Sequence, residues 1–554
     1  MSAAAIQNEF LPLGSPFLGL FALAPLYLAV SRSKSYAEAA CLTGLQVGAT
    51  HLLSSFWLAF FKDFAVFTLG ASAAGTAVIG LVFGCYLYLP FSKDHNRTNT
   101  LARMQPKASV PVRVLYFSAV WVLYEWAKSN GFLGYPWGTI HMSSWKWPLI
   151  IQIVDITGVT GITFLFACCS ALTAETLLLL PCCRTQRRSL AVLAARCAQL
   201  RNCTAAWLCL IAAAAAYGAY HLTKDRTPVK YIDAVIVQHN VDSWNETGDD
   251  GSLAILTSQR LTEQALAKQP QADLIIWSES VIPYAMPQSH SFYTAFPLQN
   301  PLVPFIKEHR IPIIIGGPVT LDAQKHFYGN SAVLFGRDGT YNGFYSKMQL
   351  VPFAEVIPYG ETEWMRTFMQ NIVGFSSGWT PGTSLTLFDI PLDDTQKEQD
   401  AAAYTQHDAL PPITGDTARI SVPICFEDAF PSVCRALFLR GSEAFLNITN
   451  DSWSRMASAE YQHFAVAAFR SIEFRTTLVR TTNSGYSVLL DPTGRIQKDM
   501  PLFSACSDTW TIPIYERTLT IYARLGDWFP AVCLIAAAAY AVLFRIKARF
   551  RSAP

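Results

Sequence analysis

Residues 421–428 read Ser-Val-Pro-Ile-Cys-Phe-Glu-Asp, a short apolar run that reaches Cys425 beside Glu427. The pattern predicts a strand with a thiol at its end. Two other ionisable residues stand in equally strand-like contexts. Glu279 closes ADLIIWSE (272–279), and Lys347 follows YNGFYS (341–346). A carboxylate, an ammonium and a thiol at the ends of successive strands can converge at one edge of a sheet. There they can supply a base, a charge stabiliser and a nucleophile.

Working outward, residues 230–515 alternate β-rich runs with helical patterns. Further strand candidates are YIDAVIVQ (231–238), IPIIIGGP (311–318), SAVLFG (331–336), EAFLNIT (443–449), TTLVRTT (476–482) and YSVLLD (486–491). Apolar residues recur at three- and four-residue spacing over 254–269 and 458–475, which predicts helices there. Strands alternating with helices favour a layered α/β domain. Residues 391–418 are acidic, rich in Ala, Asp and Gln, and aperiodic, so they read as a surface insertion.

The rest of the chain has a different character. Of 554 residues, 51% are hydrophobic and only 15% charged, more apolar than an ordinary soluble protein. Long apolar stretches run at about 12–31, 37–61, 64–91, 111–127, 148–181, 204–221 and 528–544. Each can cross a hydrocarbon layer, which needs roughly 20 apolar residues. The stretch at 148–181 is longer than one span requires and carries Asp155, so its first part reads as interfacial or re-entrant. The expected organisation is a membrane bundle over 1–222 with about six helices, a catalytic domain over 230–515, and a last span with a basic tail over 516–554.

Loop charges give orientation. Basic residues cluster after the first stretch (Arg32, Lys34), at 93–113, at 184–201 and at 545–551. Six segments before residue 222 and one after 527 put all four clusters on one side, which the positive-inside rule makes cytoplasmic. Residues 222–526 then lie outside the cytoplasm. The N-terminus MSAAAIQNEF lacks a basic region, so no cleavable signal peptide is expected. The net charge of +2 and the scattered basic residues do not point to nucleic acid. Nine of the thirteen cysteines precede residue 210, without metal-ligand spacing.

The order Glu279, Lys347, Glu355, Cys425 resembles the carbon–nitrogen hydrolase (nitrilase) superfamily. The membrane flanks narrow this, and the whole chain is similar to the apolipoprotein N-acyltransferase family. The matching motifs include GYPWG (134–138), VQHNVDSW (237–244), IIWSESVIP (275–283), YSKMQLVPFAEVIPYGE (345–361) and ICFED (424–428). NITNDSWS (447–454), YQHFAVAAFRSIEFR (461–475), VRTTNSG (479–485) and YARLGDW (522–528) continue the match. The resemblance implies a nitrilase-like αββα sandwich beside a multi-pass helical membrane bundle in the bacterial inner membrane, with the catalytic domain periplasmic. It departs from the family pattern where Phe426 replaces a usual Tyr, Ser278 a usual Pro, and Ser454-Arg455 an aromatic-Gly pair. One further N-terminal membrane segment is usual in the family and is not read here.

What the resemblance implies chemically is a ping-pong acyl transfer. Cys425 takes an acyl chain from a membrane phospholipid and passes it to the N-terminal amine of a diacylglyceryl-cysteine in an apolipoprotein. A thiol with a pKa of about 8.5 needs a base or a cationic neighbour. Glu279 is that base. Lys347 stabilises the oxyanion, worth roughly 3–4 kcal/mol for one good donor. Glu355 and Glu427 support the site. Trp244, Phe426, Trp453 and Tyr359 read either as an apolar mouth for an acyl chain or as core aromatics. Glu125 reads as a head-group contact or an interfacial residue, His463 as part of a structural helix, and Glu473 with Arg475 as an internal brace. No metal or organic cofactor is called for. A membrane-tethered amidase and a non-catalytic nitrilase-like scaffold remain as alternatives.

Overall fold

The computed structural model describes residues 1–60, 65–92, 108–180, 190–242, 251–357, 359–360, 362–373, 378–392 and 417–552. The insertion expected at 391–418 falls almost wholly outside them. The chain forms two compact units, one of Met1–Thr223 with Leu525–Pro554 and one of Lys224–Arg524.

The first unit is helical. Among the described residues, four helices are long and apolar enough to cross a membrane: Thr68–Phe91, Thr160–Leu179, Val192–Thr223 and Trp528–Ile546. Shorter apolar helices cover Pro16–Arg32 and Pro148–Thr157. The stretch at 148–181 is therefore not one span, because the chain breaks at Gly158 before the long helix begins. The stretches at 37–61 and 111–127 fold as Tyr36–Ser54 and Val110–Ser129, but both bury polar groups. In the first, Tyr36–Ser54 packs against the helix Ala65–Tyr88 through small residues. A Cβ on Gly84 would lie 2.7 Å from the Ala40 Cα, so only glycine permits this approach.

Arg113, counted above among the loop charges, instead lies inside the bundle. Its guanidinium donates to both oxygens of Glu175, at 2.8 and 2.7 Å, and the Tyr27 hydroxyl donates to Glu175 at 2.5 Å. Arg113 is thus spent on internal pairing and says nothing of orientation. The remaining residues of the 93–113 cluster fall outside the described set. Glu125 is also internal, accepting from Trp121 Nε1, the Ile140 amide and Thr163 Oγ1. Nearby, Lys128 Nζ donates to the Trp137 carbonyl at 2.5 Å and so ties down the GYPWG turn.

The second unit is a sandwich of two six-stranded mixed sheets. The strands are β1 (Pro228–Gln238), β2 (Leu274–Ile276), β3 (Ile313–Asp322), β4 (Phe327–Phe335), β5 (Tyr341–Ser346), β6 (Phe388–Pro391), β7 (Thr417–Ser421), β8 (Ala444–Thr449), β9 (Thr477–Thr482), β10 (Val488–Leu490), β11 (Ile496–Asp499) and β12 (Cys506–Tyr515). One sheet has the order β12-β1-β2-β3-β4-β5 and the other β11-β10-β9-β8-β7-β6. β9 packs against β1 and β12 across the sandwich, while Ser252–Lys268 covers the first sheet and Ala457–Phe474 the second. This is the αββα layering of a nitrilase-like domain. Its central strands are buried along their whole length, as sheets covered on both faces require.

Candidate active site

The strand expected to carry Cys425 stops early. β7 ends at Ser421, and Pro423 has no amide to donate to a ladder. Residues Cys425–Ala429 then form a single 3₁₀ turn, with Cys425 itself in the left-handed region at φ +49°. Glu427 builds this turn. Its carboxylate accepts from the Ile424 amide at 2.8 Å. It also accepts from the Met348 and Gln349 amides at 2.6 and 3.1 Å and from the Tyr345 hydroxyl at 3.0 Å. One buried acid therefore holds the Cys425 turn against the segment that follows Lys347. Burial pushes its pKa up to about 7 against these backbone donors.

Glu279 lies three residues beyond β2, Lys347 directly after β5. Register brings them together, because β3 pairs with β4 and β4 with β5. The Lys347 ammonium lies 2.8 Å from Glu355 Oε1 and 3.5 Å from Glu279 Oε1. Glu279 Oε1 also accepts from Asn330 Nδ2 at 2.6 Å, and its Oε2 accepts from the Asn450 amide at 2.8 Å. Asn330 Nδ2 reaches Glu355 Oε1 at 3.0 Å, while the Val351 amide donates to Glu355 Oε2 at 2.8 Å. Gly316 makes room for this arrangement: a Cβ there would lie 2.4 Å from the Glu279 Cα.

The electrostatics follow from this packing. Burial, and then the charge of Glu279, raise the Cys425 thiol well above its ordinary range, and Lys347 offsets only part of this. Burial likewise raises Glu279, against the pull of Lys347. Burial opposes the Lys347 charge, yet Cys425, Glu355 and Glu279 together hold its ammonium well above the usual lysine range. The site thus holds a protonated thiol, a carboxylate made more basic than usual, and a permanent cation. That set can deprotonate a thiol and stabilise a negatively charged tetrahedral intermediate.

The aromatic candidates scatter. Phe426 is buried and packs edge-on against Phe430, with ring centroids 4.7 Å apart. Trp453 is half-buried, Tyr359 is exposed, and Trp244 lies outside the described residues. Asn330 and Asn450 were not singled out from the sequence. The one signal for Asn330 is a polar side chain heading the apolar run SAVLF.

A family model described as carbon-nitrogen hydrolase matches residues 230–507, and one described as apolipoprotein N-acyltransferase N-terminal domain matches residues 2–172. Apolipoprotein N-acyltransferase 2 of Treponema denticola is 40% identical over 541 residues, covering 96% of this chain and 93% of the relative. The chain belongs to the apolipoprotein N-acyltransferase family. Apolipoprotein N-acyltransferase 2 of Treponema pallidum is 37% identical over 577 residues, covering 99% of this chain and 94% of the relative. The apolipoprotein N-acyltransferase of Borreliella burgdorferi is 28% identical over 533 residues, covering 96% of this chain and 91% of the relative. The chain is accordingly an N-acyltransferase of the membrane, with a carbon-nitrogen hydrolase domain. Apolipoprotein N-acyltransferases catalyse the last step of lipoprotein maturation.

Proposed function

We propose that the chain moves a fatty acyl group from a membrane phospholipid to the N-terminal amine of diacylglyceryl-cysteine in apolipoproteins, through a thioester on Cys425. The observation that carries the reading is the buried Lys347 ammonium between Glu279 and Glu355, electrostatically coupled to the Cys425 thiol. In the first half, Glu279 takes the thiol proton and the sulfur attacks the lipid ester carbonyl. The carbon–oxygen bond breaks, and the departing lysophospholipid oxygen takes the proton from Glu279. In the second half, the acceptor amine attacks the thioester and gives a proton to Glu279. The carbon–sulfur bond then breaks and the proton returns to Cys425. Lys347 faces the oxyanion in both halves, Glu355 and Asn330 hold Lys347 and Glu279 in place, and Glu427 holds the turn of Cys425. Residues 1–222 and 516–554 are assigned to a multi-pass anchor in the bacterial inner membrane, and 230–515 to a periplasmic catalytic domain.

Intact-mass spectrometry of the full-length protein in phospholipid vesicles tests this. An acyl adduct on Cys425, absent in Cys425→Ala and discharged by a diacylated lipopeptide with a free amine, is the expected result. Ammonia release from small amides without any lipid-derived adduct would favour an amidase and sink the proposal.

A further inference from the structure

Behind the nucleophile turn lies a buried charge cluster that the acyl-transfer steps do not use. His463, on the helix Ala457–Phe474, places Nε2 3.1 Å from Asp428 Oδ1 and Nδ1 2.9 Å from Asp451 Oδ1. Arg480, in the centre of β9, donates to Asp428 Oδ2 and stands 3.6 Å from Asp451 Oδ2. The side chains of all four are at least nine-tenths buried.

The geometry fixes the protonation. Both ring nitrogens of His463 face carboxylate oxygens, and only imidazolium donates from both. Two further oxygens in the cluster, Asp451 Oδ2 and Glu460 Oε2, are buried without a hydrogen-bond partner as carboxylates. Both crowd the same spot, since a Cβ on Gly485 would lie 2.9 Å from the first and 2.5 Å from the second. A proton on Glu460 satisfies the pair. The cluster then holds Asp428 and Asp451 as anions and His463 and Arg480 as cations, and its net charge is zero. Burial and Asp451 raise Glu460 well above the usual carboxylate range, and the two aspartates outweigh burial to raise His463 to about 9.

What the cluster joins matters most. Asp428 is the fourth residue of the turn that Cys425 begins. Asp451 follows Asn450, whose amide holds Glu279. We propose that His463 is a positioning residue whose charge locks the Cys425 turn to the loop that aims Glu279, and keeps the field at the thiol neutral. The inference rests on Cys425 being the acylated thiol. The charged groups set against His463 are Asp428 from the turn, Asp451 from the loop after β8 and Arg480 from β9, while Glu460 on its own helix faces Asp451. Removing the His463 charge leaves a net anion behind the thiol, and removing the Asp451 charge leaves a net cation.

The test is the pH dependence of Cys425 alkylation by iodoacetamide, in folded full-length protein in detergent, alongside acylation by phosphatidylethanolamine vesicles. His463→Gln is expected to move the alkylation midpoint to higher pH by about one unit, the low end for a nearby charge. Asp451→Asn is expected to move it to lower pH, and the double variant to return it toward wild type. His463→Gln is also expected to acylate about tenfold more slowly. Shifts of the same sign in both single variants, or no shift, overturn the proposal, because a merely structural role has no reason to invert its sign. If either variant does not fold, the other still reads the sign. Failure of the wild-type protein to acylate would instead strike the thioester reading and leave the alkylation result interpretable.

Discussion

Asn330→Ala isolates the contribution of one side chain to the proposed base, Glu279. The Asn330 amide donates to Glu279 at 2.6 Å and to Glu355 at 3.0 Å, and among the described residues Lys347 is the other group that bridges the two acids. A hydrogen bond to a charged group contributes about 1.5–3 kcal/mol. One pKa unit corresponds to about 1.36 kcal/mol, so losing the bond to Glu279 raises its pKa by about one to two units. The sign is fixed: the lost donor favoured the charged form, and Glu279 already lies above its ordinary value because of burial. Glu279 acts as a base only when ionised. The acid limb of acyl-enzyme formation therefore moves to higher pH by the same one to two units, and the rate on that limb falls about 10- to 100-fold. Single-turnover acylation measured from pH 5 to pH 9 by intact mass reads this directly. The backbone carbonyl of residue 330, which accepts from the Lys347 amide at 2.8 Å, is kept in the variant, so the sheet edge stays in register. An acid limb at the wild-type position, with the protein folded, would refute the assignment of Glu279 as the base or of Asn330 as its donor.

Three other outcomes follow from the same geometry. Glu427→Gln replaces one acceptor oxygen with a donor that faces backbone amides, so it destabilises by about 2–4 kcal/mol, one to two charge-assisted bonds, and thermal unfolding of the purified protein checks it. Gly316→Ala would set a methyl 2.4 Å from the Glu279 Cα; displacing the base by about 1 Å slows acylation about 100-fold, and wild-type acylation in the variant would show that the backbone relaxes freely. Phe426→Tyr adds a hydroxyl to a ring buried against Phe430, and acylation should stay within about tenfold of wild type; a complete loss of acyl-enzyme would contradict this.

The proposed trio of Glu279, Lys347 and Cys425 is legible because its residue types are unusual where they stand. A thiol, a lysine and a glutamate each interrupt or close an apolar run, and the run itself marks a strand. The helices over 254–269 and 458–475 were legible for a similar reason, and the structure forms them as Ser252–Lys268 and Ala457–Phe474. What the chain does not announce is pairing between distant segments. Asn330 becomes a partner of Glu279, 51 residues away, only through the β3–β4 register. His463 read as a helix residue and is one, yet its two carboxylates come from separate turns. Glu473 and Arg475, read as an internal brace, also have partners that the sequence does not announce: Glu473 pairs with Arg470 at 3.1 Å, the spacing of one helical turn, and Arg475, at φ +49°, donates to the Pro492 carbonyl. The apolar composition continues through Pro423, but the ladder is interrupted there and touches β8 again only where Ile424 stands opposite Ile448. β11 goes unread because IQKD carries no apolar run, whereas β12 does alternate over TWTIPIY (509–515), with Trp510, Ile512 and Ile514 buried, and its signal was there to be read.

The left-handed backbone of Cys425 carries a price for the organism that makes this protein. An L-residue with a side chain gives up about 1–2 kcal/mol in that conformation, and glycine does not. Cys425→Gly would therefore relieve this local strain while removing the thiol that the proposed reaction needs. The residue proposed to carry the acyl group is thus also a point of local backbone strain, and selection for relief of that strain alone would erase it. For the same reason, a glycine variant, rather than alanine, is the better inert scaffold for trapping a lipid in the site.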